Sequence, residues 1–211
     1  MVLAELTQGA DLGAGWAAIE RAVARLAPGS ETMMVMAPVP TFLGGSDPLE
    51  AVSIISRVDP IPHWHYVGFG LSELYEKTGP DSEWSGWGFE FTFRLAATGG
   101  PPPGWPVWLL QQLARHVLRA GQGFAPGSAL DLGGPISRYV TTDLAALLFV
   151  RDPELSTIDT PHGRVQFLQA VGVHASEYRA IRRAGPESFL SVAAGRLPVF
   201  VTDLARPPLV E

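Results

Sequence analysis

Residues 59–95, DPIPHWHYVGFGLSELYEKTGPDSEWSGWGFEFTFRL, decide how the rest of the chain is read. Phe89, Phe91, Phe93 and Leu95 alternate with Glu90, Thr92 and Arg94. That period of two makes a strand with one aromatic face. The polar row on its other face reads first as a solvated face, with a binding surface as the alternative. His63, His65, Val67 and Phe69 alternate with Trp64 and Tyr66 and predict a second strand. Gly68 and Gly70 allow a bend or a close backbone approach. Residues 71–75 read as a turn or short helix, and 78–82, with Gly79-Pro80, as a loop. Two strands joined by a long polar loop edged with Trp and Tyr place that loop among the segments that often carry function.

Toward the N-terminus, Leu12, Trp16, Ile19, Val23 and Leu26 recur at helical spacing, predicting a helix over 11–27 capped by Asp11 and stopped by Pro28-Gly29. A short strand follows at 31–36, its Met33, Met34 and Met36 read as adaptable core filler. Residues 49–58 predict a strand with Val52, Ile54 and Val58 on one face, and Pro60 and Pro62 impose an extended entry into His63. Residues 98–104, TGGPPPG, read as a surface loop inside one domain, the alternative being a boundary between two. Trp105-Pro106 opens a helix to about Gly121 with Leu110, Leu113 and Val117 as its apolar stripe. Further strands are expected at 128–132, 144–150, 165–173 and 197–203. Short helices are expected at 176–183, capped by Ser176, and at 187–194. The pattern predicts an α+β fold: a mixed, mainly antiparallel β-sheet with flanking helices in a single domain spanning 1–211.

With 46% hydrophobic and 17% charged residues over 211 positions, the chain can bury a large core. A net charge of −6 and no basic run beyond the small Arg179, Arg182, Arg183 cluster argue against nucleic acid as a partner, because most of the surface repels phosphate. The absence of Cys excludes disulfides, thiolate catalysis and Cys-ligated zinc, and fits a reducing cytoplasm. The start, MVLAELTQGADLG, has no basic region and does not read as a signal peptide. No apolar run reaches the roughly 18 residues that would span a bilayer, so no membrane association is expected.

His63-x-His65 places two imidazoles on one strand face, close enough to share a metal. A third ligand would have to come from Glu73, Glu76, Glu90, His116, His162 or His174, none at diagnostic spacing. Hydrogen-bonded structural histidines are the reading taken, with no metal and no cofactor; a metal-dependent enzyme built on the pair is the alternative. There is no Gly-x-Ser-x-Gly, the Gly pairs lack a following Lys-Ser/Thr, and Gly86-Trp-Gly88 precedes a strand rather than a helix. Asp81 with Glu83 and Glu73 with Glu76 read as solvated loop charges rather than a glycosidase pair. No catalytic residue is assigned. Surface recognition remains. Tyr75, Trp84 and Trp87 flank Glu73, Glu76, Asp81 and Glu83, and aromatic anchors with a charged rim suit a protein or peptide partner. The expected protein-binding residues are Glu73, Tyr75, Glu76, Asp81 and Trp84; Phe69 is assigned to the core.

The motifs HWHY at 63–66, FGLSELY at 69–75 and SGWGFEFTFRL at 85–95 resemble the signature of the Suppressor of fused domain family. Similar matches are GGSDPL at 44–49, TP at 160–161, Gly163, Val165, FLQ at 167–169, VGV at 171–173 and the Thr202-Asp203 pair, so the resemblance covers about 43–203. It implies the family's α+β fold. Animal members bind zinc-finger transcription factors and hold them inactive in the cytoplasm without catalysis, a short partner peptide adding as a strand between two domains. By this resemblance Tyr75 matches a family tyrosine near that peptide, and an aspartate of the same cleft falls near Ser82, beside Asp81. By this resemblance the chain is expected to correspond to one domain of animal members, so one copy is not expected to form a two-walled cleft. Bacterial single-domain relatives point instead to immunity proteins that neutralise toxins, and an acidic surface would suit a basic toxin domain. The expectation is therefore a non-enzymatic, cytoplasmic, bacterial protein-binding domain, with a purely scaffolding role as a further reading.

Overall fold

A computed structural model describes residues 13–30 and 32–210, apart from the side chain of Phe42. Its elements run α1 (Ala14–Leu26), β1 (Thr32–Met36), β2 (Ala51–Arg57), β3 (His63–Phe69), β4 (Trp84–Ala96), α2 (Trp105–Ala120), β5 (Ala129–Asp131), β6 (Leu144–Arg151), β7 (Ile158–Thr160), β8 (Gly163–His174), α3 (Ala175–Ala184) and α4 (Glu187–Ala193). The strands form one sheet in the order β1-β2-β3-β4-β8-β6-β5, with β7 also pairing with β8. β4 and β8 run parallel, Phe89 opposite Gln166 and Phe93 opposite Ala170. The other pairs are antiparallel, so the predicted mixed, mainly antiparallel α+β fold is observed.

Alternation divides the core into layers. Phe91 and Phe93 of β4, with Phe149 of β6 and Leu168 of β8, face Leu109, Leu110, Leu113 and Val117 of α2. Trp16, Ile19 and Val23 of α1 pack with Ala51, Ile55, Val67 and Phe69 of the neighbouring strands. Ile181, Phe189 and Ala193 of α3 and α4 pack with Leu148, Val150, Val171 and Val173. Trp105 stands edge-on to Phe93 at 5.5 Å, so residues 97–104 join two elements of one core.

The polar row of β4 is not solvated. Glu90, Thr92 and Arg94 are each 0% exposed. They share a sheet face with His65 and Gln169, and three segments, 70–72, the chain after β6 and the turn at Val199, supply their partners. Arg94 donates to Asp152 at 2.9 Å and to Gln169 at 2.8 Å, Thr92 donates to Asp152 at 2.8 Å, and the carbonyl of Val199 accepts from both Arg94 and Gln169. Burial alone would raise the Asp152 carboxyl. Its contacts with His65 and Arg94 and the N–H of Leu155 outweigh that and hold it well below the usual carboxylate range. The row is buried because β4 is central in its sheet and three segments close over it: 70–72 on Glu90, and the chain after β6 and near Val199 on Thr92 and Arg94.

Several local expectations are corrected. Met33 and Met36 are 50% and 38% exposed, because β1 is an edge strand with β2 alone beside it. Val58 lies beyond β2 and is exposed. Of the turn or short helix expected at 71–75, the bends observed there fit the turn. The expected strand at 197–203 is a 3-10 turn, Pro198–Phe200, with Val199 and Phe200 at positive φ, and Thr202 alone bridges to Leu95. The cap of α3 is His174, whose N–H donates to Glu177, rather than Ser176. Asp11, read as the first helix cap, lies outside the described residues. Among those residues no helix is long and apolar enough to cross a membrane.

Candidate functional site

β3 leaves the sheet at Gly70, where φ is +149° and a Cβ would sit 2.4 Å from the carbonyl oxygen of Pro48, so glycine is required. The chain then bends through 70–76 and is pinned from below by one carboxylate. Glu90 accepts the N–H groups of Gly70 at 2.9 Å, Leu71 at 3.3 Å and Ser72 at 2.9 Å, and the hydroxyl of Ser72 at 2.6 Å. Burial pushes its pKa up to about 7, although those four bonds favour the ionised form.

A second carboxylate ties the loop from within. Glu73 accepts the N–H groups of Thr78, Gly79 and Gly86 and the ammonium of Lys77. Burial would raise its pKa, but these bonds outweigh it and hold the group at about 2. The loop is also sewn to β4: the Glu73 N–H donates to Ser85 Oγ and the Trp87 N–H to the Leu71 carbonyl, both at 2.9 Å. A register shift between Trp84 and Phe89, with Gly86 at φ +55° and Gly88 at φ +80°, carries Trp87 to the surface.

These constraints shape a cleft of about 720 Å³. Leu71, Tyr75, Trp87 and Leu118 give it apolar and aromatic walls, and Glu50, Glu73 and Glu76 give it an acidic lining. Tyr75 is 38% and Trp87 36% exposed. Burial, with Glu50 beside it, raises the Tyr75 phenol, so it stays a neutral hydrogen-bonding group. Such a surface can hold an apolar residue and attract a cation.

Of the residues expected from sequence, Glu73, Tyr75 and Glu76 meet in this cleft. Glu73 is turned inward, its side chain 8% exposed, and shapes the loop. Asp81 and Trp84 sit in the adjoining loop and strand start. Asp81 accepts the N–H groups of Glu83 and Trp84, and Arg164 lies 4.6 Å over the Trp84 ring while pairing with Glu83. Trp87, read from the sequence as a flanking aromatic anchor though not one of the five expected protein-binding residues, lines the cleft with them. Glu50 and Leu118 were not expected there; they arrive through strand pairing and helix docking.

His63 and His65 are both fully buried. His65 Nε2 lies 3.1 Å from Asp152, and His63 Nδ1 lies 2.7 Å from the Ile61 carbonyl. Burial lowers the His65 pKa and brings His63 down to about 4, so both rings are neutral near neutral pH. Their contacts match the hydrogen-bonded structural reading. Among the described residues no three His, Cys, Asp or Glu side chains gather as a metal site.

The family model for Suppressor of fused protein (SUFU) matches residues 45–207. The human and mouse Suppressor of fused homologs are 37% identical over 193 residues, covering 82% of this chain and 39% of each relative. This chain therefore spans well under half of their length. Among solved structures, a chain of the Sufu–Fu complex superposes with a TM-score of 0.84 at 31% identity, covering 92% of both chains. Drosophila Suppressor of Fused superposes with a TM-score of 0.85 at 30% identity, covering 95% of this chain and 52% of that one. A SUFU homolog from Neisseria gonorrhoeae shares the fold, with a TM-score of 0.67 at 14% identity over 93% of this chain and 97% of that one. With the motifs of β3 and β4 placed around one aromatic, acid-rimmed cleft and these matches across the sheet, the chain belongs to the Suppressor of fused family.

Proposed function

We propose that this protein is a non-enzymatic binding domain whose cleft beside Tyr75 takes a segment of a partner protein and masks it. One observation carries the reading. Tyr75 and Trp87 stand more than a third exposed in a cleft whose backbone Glu73 and Glu90 already fix. Exposed aromatic anchors on a locked frame bind with little ordering cost. The similar Sufu–Fu complex supports a protein as the ligand class. Glu50 and Glu76 on the lining favour a basic partner, and a basic toxin domain neutralised in the cytoplasm fits that chemistry. Glu76 supplies charge on the lining, while Asp81 and Trp84, in the adjoining loop and strand start, extend the binding surface beyond the cleft.

The test is affinity capture from the source cells with wild type and Tyr75→Ala in parallel, followed by titration of the captured partner. Truncating a central aromatic anchor should weaken binding by at least about thirtyfold, with the melting transition little changed. An unchanged dissociation constant would remove this cleft from the binding surface. If the partner is a toxin domain, co-expression of wild type should restore growth and Tyr75→Ala should not.

A further inference from the structure

A second groove of about 560 Å³ runs between α2 and residues 130–139 and shares no lining residue with the Tyr75 cleft. Its volume lies within the roughly 300–1,000 Å³ of ligand pockets. Leu109, Leu113 and Ile136 form a buried floor. Trp108 and Tyr139 stand at the rim, 54% and 81% exposed. Trp108 lies off the apolar stripe that docks α2 on the sheet, so folding does not explain an indole there. An exposed Trp, Tyr and Arg together are the composition of binding hot spots.

Two donor groups of the groove lining lack acceptors among the described residues. Arg138 is exposed and, among the described residues, forms no ion pair. Trp105, 6% exposed, lines the groove, and its buried indole N–H has no hydrogen-bond partner among those residues. Asp131, a carboxylate on the same lining, is engaged by the Gly133 N–H at 2.8 Å. The Tyr75 cleft is lined with acid; this groove offers the exposed guanidinium of Arg138 beside two exposed rings.

We propose that the groove is a second docking site, for a protein segment presenting an aromatic side chain beside a carboxylate. The ring packs between Trp108 and Tyr139, and the carboxylate meets Arg138. The two sites therefore take partner chemistries of opposite sign, and a partner carrying both would be held at two points.

The probe is N-acetyl-tryptophan with its carboxylate free, set against N-acetyl-tryptophan amide. Binding is followed on the full chain through its assigned indole N–H resonances. The carboxylate form should shift the Trp105 and Trp108 signals and leave Trp87 in place. The amide should bind about three- to fivefold more weakly, the scale of one exposed charge pair. Arg138→Ala should bring the carboxylate form to the amide's affinity, Trp108→Ala should remove saturable binding of both, and Tyr75→Ala should change neither. The remaining indole signals report that each variant is folded. No shift at millimolar probe, equal affinity for the two probes, or loss of the shifts in Tyr75→Ala would overturn the proposal.

Discussion

The polar row of β4 and the rim of the Tyr75 cleft both carry charged side chains, yet they do opposite work. Glu90, Thr92 and Arg94 are sealed inside the sheet and bond only inward. Glu76 stands exposed on the cleft lining. Glu73 and Glu90 make the contrast sharpest, because both hold the same loop through several N–H donors. One carboxyl lies at about 2 and the other at about 7. Hydrogen-bond number does not separate them. Depth does, together with the Lys77 ammonium that Glu73 has and Glu90 lacks.

The largest effect should come from breaking the sealed row. Arg94→Ala leaves Asp152 buried without its cation and should cost about 3–5 kcal/mol in urea unfolding. A loss under about 1 kcal/mol would mean that water reaches the row. Next is the pH dependence of Glu90. Its folded pKa lies above the ordinary 4.5, so the folded state holds this proton more tightly than the unfolded chain. The resulting stability is fully present below about 4.5 and fades as pH rises through about 7, by up to about 3 kcal/mol. Glu90→Gln cannot titrate. The stability difference between wild type and this variant should therefore move against wild type between pH 5 and pH 8; a constant difference would place the Glu90 pKa outside that window. The smallest stability effect belongs to the rim. Glu76→Gln should stay within about 0.5 kcal/mol of wild type while slowing association with a basic partner in a salt-dependent way.

Strong periodicity made much of the frame legible. The aromatic alternation of β4, the apolar stripe of α2 and the continuous apolar run of β6 each appear where expected. What covers a strand was not legible. Asp152 and Val199 lie 58 and 105 residues from Arg94 in the chain, and nothing local to β4 signals that they close over it. The Met-rich β1 misled for the opposite reason, since apolar composition does not mark an edge. In the cleft, Glu73, Tyr75 and Glu76 were readable because they are sequence neighbours. Glu50 was not, because it joins them through the pairing of β2 with β3 and the return of the chain at Gly70.

The parallel pairing of β4 with β8 also has a consequence during synthesis. β4 ends at Ala96, and β8 does not begin until Gly163. At about 5–20 residues per second, one edge of an aromatic strand waits on the ribosome for roughly 3–13 s. A run such as Phe89–Leu95 without charges would be an adhesive template for neighbouring nascent chains. Glu90 and Arg94 interrupt it with one charge of each sign. Two charged residues that end fully buried in the finished sheet are thus the ones that keep its unfinished edge from sticking to other chains.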